Sequence, residues 1–148
     1  MQLRLRKLLL ISGTAIAVVF LLIQAVPYGR AHDNPPVISE PQWDSARTRE
    51  LAVKACFDCH SNETKWPWYS NVAPVSWYVQ NHLEEGRDEM NFSEWNRPQE
   101  EAEESAEKVL EGEMPPAYYH PWDRLTSTEV NELARGLQAT LGGELSDD

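Results

Sequence analysis

Charge disappears from the chain after its seventh residue. Arg4, Arg6 and Lys7 are followed by "LLLISGTAIAVVFLLI" (8–23), and no side chain from Leu8 to Val26 ionises. As a helix those 19 residues reach about 28 Å, close to the hydrocarbon thickness of a bilayer. A single transmembrane anchor over 8–26 is therefore expected. The positive residues before it place 1–7 in the cytoplasm and the remainder outside. A cleaved signal peptide is the competing reading, but its apolar region is ordinarily shorter. Both readings export the rest of the chain. The prolines and polar residues of "HDNPPVISEPQ" (32–42) make 27–42 an extended linker.

From Trp43 onward the apolar positions follow helical spacing, without strand-like alternation or internal repeat. Four helices are expected. The first covers about Trp43–Cys56, capped by Asp44 or Ser45, with Leu51, Ala52 and Ala55 inward. The second covers Pro74–Glu85, with Val75, Tyr78, Val79 and Leu83 on one face, and stops at Gly86. The third runs from near Pro98 to Glu111 and ends at Gly112. The last spans Ser127–Leu141, with a capping box from Thr126 and Glu129 and a stop at Gly142-Gly143. The result is an all-α domain over 43–142, with long aromatic-rich loops and an acidic tail over 143–148.

Charge changes the picture of partners. Beyond residue 30 the chain has 24 acidic and nine basic residues, a net of −15. Such a body repels nucleic acid and anionic surfaces, and favours a protein partner with a basic docking face. No nucleophile triad, phosphate loop or singled-out acid/base pair is present, so hydrolytic and transfer chemistry are not expected. Six tryptophans in 148 residues suggest a flat apolar object to pack around, or a heavily aromatic core.

Both cysteines lie in "ACFDCHSN" (55–62), as Cys56 and Cys59, with His60 next. A disulfide between them closes a tiny loop and stabilises little. A redox dithiol needs a strand-to-helix setting, which the pattern lacks. Zinc needs about four ligands, and three at most are here. C-x-x-C-H instead matches c-type haem attachment. Two thiols bind the two vinyl groups along one porphyrin edge, and His60 becomes the proximal iron ligand. One covalent haem c is expected.

Candidates for the other side of the iron are Met90, Met114, His32, His82 and His120. Met114, in "EGEMPPAYY", follows a helix end and precedes Pro115-Pro116. That is a stiff, non-helical presentation of a thioether. Met90 and His82 read as packing and structural residues, and His32 falls in the linker. His120 is the alternative distal ligand. His/Met ligation makes a six-coordinate, one-electron carrier of raised potential.

"CFDCHSNETKWPWYSNVAPVSWYVQNHLEEGRDEMNFSEW" (56–95) with "MPPAYYHPW" (114–122) resembles the haem-binding domain family of bacterial membrane-anchored proteins. The shared elements are one CxxCH, W-P-W-Y, H-x-x-x-G-R, N-F-S-x-W and a late M-P-P. The resemblance covers roughly 43–141 and implies a small cytochrome c-like helical domain without a defined reaction. It implies covalent attachment at Cys56 and Cys59 and proximal ligation by His60. Met114 matches the late M-P-P. The G-P-x-L segment of small soluble cytochromes c is absent, which leaves Pro67 or Pro74 as carbonyl acceptors for the proximal imidazole. Trp66, Trp68 and Tyr69 of W-P-W-Y read as core, as porphyrin packing, or as donors to a propionate. Arg87 pairs with a propionate or with Glu84 or Asp88.

Electron transfer in the inner membrane, with the domain in the periplasm or otherwise outside, is the leading reading. A carrier rather than an enzyme is expected, working with a redox protein in the membrane or periplasm. The alternatives are a peroxidase or gas sensor with an open sixth position, and a non-haem tethered interaction module.

Overall fold

The apolar start of the chain forms α1, Gln2–Ile23, a helix of 22 residues in which no side chain is buried. The structure, a computed structural model, describes residues 2–116 and 124–143. Five further helices follow: α2 (Ala46–Ala55), α3 (Phe57–His60), α4 (Val75–Glu89), α5 (Ser105–Leu110) and α6 (Ser127–Leu141). A short 3₁₀ turn covers Trp68–Asn71. Among the described residues there is no strand, only an isolated bridge between Ser39 and Glu94. The fold is all-α, and α1 is long and apolar enough to cross a membrane.

The chain divides into two units, residues 1–33 with 66–81, and residues 34–65 with 82–148. In the first, the segment after α1 is clamped to the loop before α4. The Gln24 side-chain amide donates to the Ala73 carbonyl at 2.9 Å and accepts from the Ala73 N–H at 3.0 Å. Gly29 has φ +77°, and a Cβ there would stand 2.2 Å from the Ser76 carbonyl oxygen, so only glycine fits. The His32 ring stacks on Trp66 with centroids 4.4 Å apart.

The second unit holds the main core. Leu51, Ala52, Phe57, Phe92, Leu133 and Leu137 are all nearly or fully buried. Phe92 sits among three aromatic rings, Trp43, Phe57 and Trp95, at centroid distances of 5.1, 5.4 and 5.9 Å. Ser45 caps α2, its hydroxyl accepting from the Thr48 N–H. Thr126 and Glu129 form the capping box of α6. Where α2 meets α6, a Cβ on Gly136 would lie 2.1 Å from Thr48 Oγ1, so the missing side chain lets the helices close. The second half of the proline-rich stretch is tied down here. Ile38 and Ser39 donate to the Ser93 carbonyl, and Trp95 donates to the Ser39 carbonyl.

Three helix boundaries differ from the sequence pattern. α4 runs through Gly86 to Glu89. Its buried positions are Ser76, Leu83 and Gly86, whereas Val75 and Tyr78 are exposed. α5 is only six residues long, because residues 100–104 form turns. Glu100, Glu101, Glu103 and Glu104 would crowd like charges along one helical turn. A separate turn, α3, carries the second cysteine and His60.

Candidate functional site

The two cysteines are set by a break between helices. α2 ends at Ala55, and the Cys56 N–H donates its last bond to the Ala52 carbonyl at 2.8 Å. The chain then rewinds as the single turn α3, in which the N–H groups of Cys59 and His60 both reach the Cys56 carbonyl, at 3.1 and 2.9 Å. A spacing of three on one turn puts both sulfurs on the same side. Phe57 points the other way, into the core. Both thiols are free. Burial pushes the Cys56 thiol up to about 12, and burial with the nearby Asp58 carboxylate pushes Cys59 up to about 11. At neutral pH both stay protonated.

His60 Nδ1 lies 2.8 Å from the Gly86 carbonyl and 3.2 Å from that of Met90. Both partners only accept, so Nδ1 carries the proton and Nε2 keeps its lone pair. Burial, the leading influence, lowers the imidazole's proton affinity against the pull of the two carbonyls, which favours the neutral ring. Pro67 and Pro74 are thus not the acceptors. Gly86 is needed for a different reason than stopping a helix. A Cβ there would come within 2.9 Å of the Cys59 carbonyl oxygen, so its absence lets α4 lie against the C-x-x-C-H turn.

The sequence motifs resolve into supports for that turn. Arg87 Nε donates to the Ser61 carbonyl at 2.8 Å, and its terminal nitrogen reaches Thr64 Oγ1 and Asn34 Oδ1. Phe92 N–H donates to the His60 carbonyl at 2.8 Å. Buried Asn91 donates to Asn62 Oδ1, and Ser93 Oγ accepts from the Asn62 N–H, both at 2.9 Å. Asn91 and Ser93 belong to the N-F-S-x-W element, but the sequence gives them no role, and nothing along the chain marks Ser61 and Asn62. Polar residues beside a C-x-x-C-H motif resemble any loop until their burial is known.

Cys56, Cys59, His60 and Met114 line one open cavity, together with His82, Glu85 and Glu89. A second, smaller cavity shares Cys56, His60, Met114 and Glu89, and its inner wall is Met90, Phe92, Val109 and Leu137. Met114 is brought there by the end of α5. Gly112, at φ +76°, turns the chain, and the Met114 N–H donates to the Lys108 carbonyl at 3.1 Å. Met90 is core packing, 5% exposed.

Two thiols, an imidazole and a thioether against an apolar wall fit haem, whose iron takes nitrogen and sulfur ligands. Among the described residues no group of three or more His, Cys, Asp or Glu side chains could hold a metal ion. Trp66, Trp68 and Tyr69 belong to the other unit. There Trp68 and Tyr69 are exposed, and the buried Trp66 Nε1 has no hydrogen-bond partner among the described residues. His120 lies outside the described residues, as does the tail from 144.

Compared with family models, residues 18–139 match the haem-binding domain. No curated protein and no solved structure matches the chain significantly. The match spans most of the sequence, and the chain belongs to the haem-binding domain family.

Proposed function

We propose that this member of the haem-binding domain family is a membrane-anchored, exported protein that carries one electron at a time through a single covalent haem c. The observation that carries the reading is the convergence of Cys56, Cys59, His60 and Met114 on one cavity. Cys56 and Cys59 would hold the haem edge as thioethers. His60 would be the proximal ligand, and Met114 the distal one. When bound, the haem supplies reversible one-electron chemistry at its iron. The chain's part is positioning. The carbonyls of Gly86 and Met90 hold the Nδ1 proton and thereby fix the ring orientation and the tautomer. The inner wall of Phe92, Val109 and Leu137 keeps water off that side.

The positive residues Arg4, Arg6 and Lys7, in the first two turns of α1 and ahead of its apolar stretch, support an orientation with the body outside the cytoplasm. The acidic body supports a redox partner with a basic docking face.

His82 supports a second reading, because it lines the same cavity as His60. His/His ligation would lower the potential relative to His/Met. The test is a pyridine haemochrome assay, a reversible redox titration, and ferric absorption spectra of wild type, Met114→Ala and His82→Ala. His/Met ligation predicts one haem per chain and loss of the near-infrared sulfur-to-iron band only in Met114→Ala. An unchanged Met114→Ala spectrum with an altered His82→Ala spectrum moves the assignment to His82. Rapid CO binding by the reduced wild type would replace the carrier with the sensor or peroxidase reading.

A further inference from the structure

All but one of the acidic residues of this chain fall in one of its two units. Of 24 acidic residues, Asp33 alone belongs to the unit formed by 1–33 and 66–81, which also carries Arg4, Arg6, Lys7 and Arg30. No Asp or Glu occurs between Glu63 and Glu84. In a chain of net charge −11, that gap sets this surface apart.

The same segment displays large apolar and aromatic side chains. Trp68 is 80% exposed, Tyr78 51%, Val75 42% and Tyr69 39%, and Tyr28 in the segment after α1 is 41% exposed. Trp68 and Tyr69 meet edge to face at 5.8 Å. Nothing in the helix pattern forces this. Residues 75 and 78 would serve as a buried face if α4 packed by its apolar stripe, yet Ser76 is the residue turned inward.

This segment is bound directly to the end of the apolar helix. Gln24 stands one residue past α1 and holds Ala73 through both backbone groups, while its side-chain nitrogen also donates to the Phe20 carbonyl inside α1. Arg30 donates to Gln24 Oε1 at 3.0 Å, and Gly29 meets Ser76 backbone to backbone. His32 adds a stack on Trp66 and a contact to Ser70 Oγ at 3.0 Å. The aromatics are therefore anchored at the outer end of the span, at the depth where Trp and Tyr concentrate in membrane proteins. There an amphipathic ring places its apolar body among acyl carbons and its N–H or O–H in the headgroups.

We propose that Trp68, Tyr69 and Tyr78 form an interfacial anchor seated in the headgroup layer of the bilayer that α1 spans. The occupant of this exposed face is lipid. The absence of carboxylates from 66–81 removes repulsion from anionic headgroups, and continuity with α1 fixes which membrane it meets. W-P-W-Y thus works as a membrane contact, and the proposal rests on α1 being inserted.

The test uses the full chain in nanodiscs of phosphatidylcholine and phosphatidylglycerol, with the photocrosslinker p-benzoylphenylalanine substituted for Trp68, for Tyr78 or, within α1, for Val18. Lipid adducts read by mass spectrometry are expected at all three positions. Adding Tyr69→Ser to the Trp68 probe is expected to lower its lipid adduct yield several-fold. Adducts at Val18 without adducts at 68 or 78 would overturn the anchor and leave the spanning helix standing. No adduct at any of the three would overturn both.

Discussion

His60 donates its Nδ1 proton to the carbonyl of Gly86, 26 residues later, at 2.8 Å. The acceptor is a backbone group inside α4, and it is reachable because residue 86 has no side chain. A single glycine thus supports both the approach of the helix and the tautomer of the imidazole.

Gly86→Ala is expected to disturb both. A Cβ 2.9 Å from the Cys59 carbonyl oxygen must push backbone against backbone. Overpacking of that kind costs about 1–3 kcal/mol, against a helix-propensity gain of up to ~1 kcal/mol. Urea unfolding should show a net loss, and covalent haem per chain should fall in a haemochrome assay. Wild-type stability in the variant would show that α4 does not bear on the turn.

The α2–α6 crossing offers a control away from the cavity. Gly136→Ala would place a Cβ 2.1 Å from Thr48 Oγ1. A loss of about 1–3 kcal/mol is expected without a change in the haem spectrum. Thr48→Ala in the same chain should recover part of it, since the two sites share the contact. Simple additivity of the two changes would contradict the close approach.

Asn91 links the two loop segments beside the turn, donating to Asn62 Oδ1 and accepting from the Ser93 N–H. Asn91→Ala leaves both partners buried and unmatched, at about 1–3 kcal/mol. Thermal unfolding should reveal the loss, and hydrogen exchange should quicken at Asn62 and Ser93. Unchanged exchange at both amides would remove Asn91 from the support.

Glu40 sets an expected acid sensitivity. The hydrogen bond from Arg49, then that from Trp43, hold its carboxyl below the ordinary value of 4.5, against the effect of partial burial. Its contribution is therefore present above the unfolded value and is lost as the pH falls through the folded one. The pair is partly exposed, so at most about 1 kcal/mol is at stake. Urea midpoints of wild type and Glu40→Gln should differ near neutrality and converge once the pH falls below the lowered, folded value. A gap that persists in acid would assign the effect to packing.

Much of the site was legible along the chain, for reasons that are local. C-x-x-C-H needs only one helical turn to bring its sulfurs to one side, and the structure supplies that turn as α3. Gly112 after α5, and Thr126 with Glu129 before α6, act within a few residues, and they stand where the pattern put them. The extent of α4 was misread because a glycine in a helix looks like a stop when its neighbour in space is unknown. α5 was overextended because apolar spacing says nothing about crowded carboxylates.

The sequence by itself determined the apolar span, the helical character, the thiol pair with its imidazole, and a methionine presented between a helix end and two prolines. These depend on interactions of a residue with its neighbours within about one turn. Tertiary structure alone decided that the carbonyls of Gly86 and Met90 accept from His60 Nδ1, that Met114 shares a cavity with His60 across 54 residues, and that the acid-free segment 66–81 falls in one unit with α1. Such relations depend on how closely helices approach, and at Gly86 that is decided by the space a missing Cβ leaves open.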